Sequence, residues 1–106
     1  KGVDLSKAKA WVYFNASGTV AIQASYNVKS ILDNGAGDWD INFAIPFKSS
    51  SYAVVVSSQA TSAFDENLYV QTLEANNCRL YNANDGSTVK DSQIIMAVFF
   101  GELENE

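Results

Sequence analysis

The sequence predicts an all-β fold, an antiparallel β-sandwich of about eight strands. Three observations carry that expectation. Apolar and polar residues alternate with period two in segment after segment, turn residues recur every eight to twelve positions or so, and no stretch keeps the three-to-four spacing of an amphipathic helix. The 106 residues, 47% of them hydrophobic, suffice for one core and leave no room for a second. Residues 1–106 are therefore read as a single module, with 1–9 a lead-in and 101–106 an acidic tail expected to fray.

Each element has its own reason. Ala10 to Phe14 sets Trp11 and Tyr13 on one face and Val12 and Phe14 on the other; Asn15-Ala16-Ser17-Gly18 then turns it into a second strand, Thr19 to Ser25. Val28 to Leu32 runs into Asp33-Asn34-Gly35-Ala36-Gly37, whose glycines and Asn supply the positive φ angles of a tight connection. The next segment alternates cleanly, with Trp39, Ile41, Phe43 and Ile45 toward a core and Asp38, Asp40, Asn42 and Ala44 toward water. Pro46 cannot donate to a ladder, so that strand ends there; Phe47 to Ser51 forms a corner and Tyr52 to Gln59 the fifth strand. Ala60 to Glu66 reads as a polar loop. Leu68, Val70 and Thr72 then alternate with Tyr69, Gln71 and Leu73, Asn76-Asn77 turns, and Cys78 to Tyr81 leads into a loop from Asn82 to Asp91.

The last strand, Gln93 to Phe100, is apolar on both faces, so neither can sit in water unaided. Either a second subunit covers the outer face through Ile94, Met96, Val98, Phe99 and Phe100, or the domain's own N-terminal segment or loops do.

Composition narrows the function classes. With no histidine and one cysteine there is no Ser-His-Asp or Cys-His nucleophile system, no imidazole metal ligand, no zinc site and no internal disulfide, and no cofactor is expected. Cys78 reads as an inert, partly buried thiol. A net charge of -5 with scattered basic residues speaks against nucleic acid, and no apolar run approaches the ~18 residues of a membrane helix. Asp38 and Asp40 share a face with Cα atoms about 6.6 Å apart, a spacing compatible with paired glycosidase carboxylates, although both lie on the polar side of a strand with no pocket. Carboxylates at the loop end would suit a calcium ion, since hard cations take carboxylate and carbonyl oxygens, although the chain has no calcium-loop motif; Asn15-Ala16-Ser17 matches a glycosylation acceptor.

If every connection reverses direction, the turns after the first, third, fifth and seventh strands gather at one end, with Asp33, Asp38, Asp65, Glu66, Asp85 and Asp91. Lys29 and Lys48 then lie toward the other. Such an end suits a polar ligand, since amides and carboxylates bind hydroxyls and aromatic rings stack on sugar faces; solvated turns would look much the same.

The order Ala10-Trp11-Val12-Tyr13-Phe14-Asn15, Gly18-Thr19-Val20-Ala21-Ile22, Ala24-Ser25-Tyr26-Asn27-Val28, Asp33-Asn34-Gly35-Ala36-Gly37-Asp38-Trp39 and Ile41-Asn42-Phe43 closely resembles the C-terminal, distal module of tailed-bacteriophage tail fibres and related receptor-binding virion proteins. The likeness covers residues 8–45; past Pro46 only the style of strand is similar. Tyr13 stands where the family pattern has a polar residue such as Asn, and Lys29 and Leu32 replace smaller or polar types. The resemblance implies a piece of a longer fibre protein on the virion, a homotrimer that helps recognise the host surface without catalysis. Its partners would be a bacterial surface glycan or protein and other tail proteins. For a saccharide, the expected contacts are Asn34, Asp38, Asn82, Asn84 and Asp85, with Tyr81 or Trp39 stacking, Trp39 also reading as core. The alternatives are a purely structural virion module, a connector or decoration protein, and a depolymerase relying on Asp38 and Asp40.

Overall fold

The computed structural model describes residues 3–59, 67–83 and 94–106. Eight strands are present: β1 (Ala10–Asn15), β2 (Ala21–Tyr26), β3 (Val28–Asp33), β4 (Asp38–Phe43), β5 (Ala53–Gln59), β6 (Asn67–Leu73), β7 (Asn77–Ala83) and β8 (Ile94–Phe100). They form two four-stranded antiparallel sheets, ordered β2-β1-β8-β5 and β3-β4-β7-β6. Hairpins join neighbours within a sheet, and the other connections cross between sheets.

The period-two pattern builds the core. Val12 and Phe14 of β1 and Ile95, Ala97 and Phe99 of β8 face Trp39, Ile41 and Phe43 of β4 and Cys78 and Leu80 of β7, all nearly or fully buried. Phe14 meets Trp39 edge-on at 6.0 Å near one end of the sandwich, and Phe43 meets Phe99 at 4.9 Å near the other. These contacts run β1 and β4 in opposite directions face to face. The Asn15–Val20 and Asn34–Gly37 turns consequently share one end, the upper. The strand ends flanking residues 60–66 and 84–93 lie there too, since Ile94 pairs with both Asn15 and Gln59, and Asp38 with Tyr81. The expected gathering of these connections at one end holds for their strand ends; residues 60–66 and 84–93, with Asp65, Glu66, Asn84, Asp85 and Asp91, lie outside the described residues.

Asn27 makes the one-residue link from β2 to β3. Its backbone is left-handed (φ 57), a conformation Asn tolerates. Its side chain donates to the carbonyls of Lys9 (3.2 Å) and Ile45 (3.0 Å) and accepts from Ile45 N–H (2.7 Å), fastening the starts and ends of four strands. Ile45 is therefore part of this corner and 37% exposed, off the core face to which the alternation assigned it.

Two other expectations are corrected. An extra residue, Gln71, bulges between Val70 and Thr72, so Leu73 falls on the core side with Leu68 and Val70, where strict alternation had set it opposite them. The acidic tail is docked and not frayed: Leu103 is buried and bridges Phe47, Glu104 N–H donates to Pro46 O (3.0 Å), and the Lys9 ammonium holds Glu106 at 2.6 Å and Gly101 O at 3.0 Å. The tail closes the lower end over Phe47 and Tyr52, whose rings stack at 4.3 Å. The Tyr52 hydroxyl lies 2.7 Å from Glu74 O and 2.9 Å from Asn77 O, tying that end to the β6–β7 turn.

Candidate functional site

The two outer faces of the sandwich differ in chemistry. Those of β3, β4, β7 and β6 carry the polar and charged strand residues. Parity turns Asp38 and Asp40 of β4, Arg79 and Tyr81 of β7 and Tyr69 and Thr72 of β6 outward, and register sets Asp38 beside Tyr81 and Tyr81 beside Tyr69.

Arg79 grips Asp38 in a two-point ion pair, Nε to Oδ1 at 2.9 Å and Nη2 to Oδ2 at 2.7 Å. The fork geometry of guanidinium on carboxylate makes this stronger and more directional than a single contact. Asn34, in the upper turn, donates to the same Oδ1 at 3.3 Å. The hydrogen bonds from Arg79, assisted by that from Asn34, hold the Asp38 carboxyl below its ordinary range against the opposing effect of burial. Asp38 in turn raises the Arg79 pKa further. The guanidinium also lies 5.3 Å from the centre of the Tyr81 ring, and Tyr81 meets Tyr69 edge-on at 5.8 Å. Tyr69 is 44% exposed. The result is a surface of two aromatic rings flanked by a fixed ion pair and an amide, close to the upper end.

Of the residues expected to contact a saccharide, Asn34, Asp38 and Tyr81 come together here. Asn82 does not: it belongs to β7, is fully buried, and its N–H donates to Gly37 O at 2.9 Å. The loop expected to start at Asn82 begins later because the buried positions Cys78, Leu80 and Asn82 continue one alternation. Asn84 and Asp85 lie outside the described residues. Trp39 is fully buried against Phe14, a core residue and not a stacking platform. Arg79 and Tyr69 escaped the sequence reading, although both share the outward parity of Tyr81 once β6 and β7 are paired. Asp40 stands opposite Arg79 in the ladder while Asp38 holds its guanidinium, so the two aspartates are unequal in environment.

The other outer face carries no charged strand residue and is mostly apolar. Tyr26, Trp11, Val98 and Val55 form one row across β2, β1, β8 and β5, with Ala24, Tyr13, Met96 and Ser57 in the next. Tyr26 is 56% exposed, Trp11 37% and Val55 64%. Met96, Val98 and Phe100 have outward parity. Phe99 is corrected: it is fully buried in the core, because pairing with Ala10 and Val54 turns it inward. Ile94 is also buried, at 8% exposure, although outside the core cluster.

Cys78 is fully buried, more so than the partly buried thiol expected. Burial, with a contribution from the Asp40 charge, pushes its pKa up to about 12. Among the described residues, no three Cys, Asp or Glu side chains gather as a metal-ion site. No protein family, curated protein or solved structure matches the chain.

Proposed function

We propose that the chain is a non-catalytic attachment module at the distal tip of a phage tail fibre, which works as a homotrimer and binds a bacterial surface glycan through the outer face of β4, β7 and β6. The observation that carries the reading is the Tyr69–Tyr81 pair, Tyr69 exposed and Tyr81 half-buried, beside the Asp38–Arg79–Asn34 cluster. Aromatic faces stack on the C–H surfaces of a sugar, while fixed carboxylate, guanidinium and amide groups bond its hydroxyls. The Asp38 carboxylate, held by Arg79 on both oxygens and by Asn34 on one, is a hydrogen-bond acceptor fixed in place, which suits binding of hydroxyl groups. The sequence likeness over residues 8–45 supplies the virion setting. Three shallow sites on one rigid tip would gain avidity through effective concentration.

Glycan arrays and host-cell binding by the assembled protein test this. Saccharide or cell binding is expected, with at least a tenfold loss in Tyr69→Ala or Tyr81→Ala at unchanged oligomeric state. An intact assembly that binds neither glycans nor cells would overturn attachment in favour of a structural virion module contacting only other virion proteins.

A further inference from the structure

The sheet β2-β1-β8-β5 contains no Asp, Glu, Lys or Arg in any of its four strands, whereas the opposite sheet carries Lys29, Asp33, Asp38, Asp40 and Arg79. In a chain with 18% charged residues and a net charge of -5, this concentrates neutrality on one face. We propose that the outer face of β2-β1-β8-β5 is one wall of a three-sided prism, covered by the same face of two further copies of this chain about a three-fold axis. This deepens the homotrimer reading by assigning its contact surface.

Charge selects the occupant. Copies of one acidic chain repel wherever their charged surfaces meet, and this face lets them approach without setting carboxylate against carboxylate. The centres of stable interfaces are similarly depleted of charge and enriched in aromatic residues and Met, as Trp11, Tyr13, Tyr26 and Met96 are grouped here.

The geometry fits three copies. Four strands spaced ~4.8 Å apart and six or seven residues long make a face roughly 19 Å wide and 20 Å long, a footprint of about 400 Å². That is the size of the largest apolar patch an ordinary monomer exposes. Covering it on each of three copies removes about 1,200 Å² from water in all, shared over three contacts. A wall 19 Å wide in an equilateral prism stands about 5.5 Å from the axis, close to half the ~10 Å at which sheet faces pack. Trp11 and Val98, on the two central strands, then point toward the axis. At each corner, Tyr26 on the edge strand β2 meets the smaller Val55 side of the next copy's edge strand β5. Such contacts are heterologous and close after three copies.

Light scattering on the full chain at micromolar concentration should give three times its 11.5 kDa mass. Val55→Lys and, on the opposite edge, Tyr26→Lys should each lower the mass to a third while far-UV circular dichroism stays unchanged, since both positions are already exposed within one chain. Thr72→Lys on the other sheet should leave the mass alone. Emission from Trp11 should shift to the red in both face variants, while Trp39 stays in the core. A wild-type monomer or dimer would overturn both the trimer and this face. A trimer that survives both lysine substitutions would overturn the face and leave the trimeric reading standing.

Discussion

Phe99→Ala separates the interior of the sandwich from its outer face. Phe99 is fully buried, with its ring edge-on to Phe43 at 4.9 Å and to Tyr52 at 6.2 Å. Truncating such a side chain removes its transfer free energy and leaves a cavity that close-packed neighbours fill only in part, a loss of about 3–5 kcal/mol. Against a total stability of roughly 5–15 kcal/mol for a domain, that is a large share. For a chain of this length, each kcal/mol is worth about 4–8 °C, so the midpoint should fall by about 12 °C or more. Val98→Ala, one position earlier, supplies the contrast because its side chain points outward. Assembly makes apparent stability depend on protein concentration, so urea and thermal unfolding should be followed over a hundredfold concentration range. The Phe99→Ala loss should persist in the monomeric Val55→Lys background, whereas the Val98→Ala loss should fade there. A Phe99→Ala loss below about 1 kcal/mol in the monomer would refute the assignment of this ring to the core.

Three other outcomes are expected. Gly101→Ala should destabilise by about 1–3 kcal/mol, because the added Cβ would stand 2.8 Å from Tyr52 Cβ and 3.2 Å from the Phe47 ring; unchanged urea unfolding would refute that crowding. Arg79→Met should return the Asp38 carboxyl toward its ordinary range, visible in an NMR carboxyl titration. Since the folded-state pKa of Asp38 is depressed, its stabilisation is present above the unfolded-state value and is lost as pH falls through the folded one; the variant should lose less of its stability on acidification than the wild type. Cys78 should resist a thiol reagent at pH 8 in the folded protein and react fully in denaturant, as its burial and its pKa of about 12 require; rapid labelling of the native chain would contradict both.

Alternation made most of the fold legible. In β4 it assigned the inward residues Trp39, Ile41 and Phe43 correctly, and in β1 it separated Val12 and Phe14 from Trp11 and Tyr13 without saying which pair is inward, because each strand has one face in the core and one outside. It failed where the backbone breaks the period: the Gln71 bulge moved Leu73 across the sheet, and the left-handed Asn27 corner drew Ile45 out of the core. It also failed in β8, where apolar residues on both faces leave no contrast to fix parity. Only the ladders with β1 and β5 turn Phe99 inward and Val98 outward. The tail was misread through its charge, although Leu103 and a buried Lys9 partner for Glu106 hold it down.

The candidate site was partly visible for the same reason. Cys78, Leu80 and Asn82 are one buried series, so Arg79 and Tyr81 had to face outward, and pairing β6 beside β7 brings in Tyr69. What alternation alone could not supply was which sheet lay where. That assignment ties the two proposals together. A prism closed by the uncharged faces of β2-β1-β8-β5 would turn the three β3-β4-β7-β6 faces outward, away from the axis. Each Tyr69–Tyr81 surface would then be open to a ligand, and none would be spent on holding the trimer. The two faces should therefore be separable by mutation: Val55→Lys should abolish the trimer and its avidity while each released chain keeps its weak saccharide affinity, and Tyr69→Ala should do the reverse. If Val55→Lys also removed the affinity of the single chain, measured by NMR shifts in the monomer, binding would have to run through the neutral face, and the division of labour between the two sheets would be wrong.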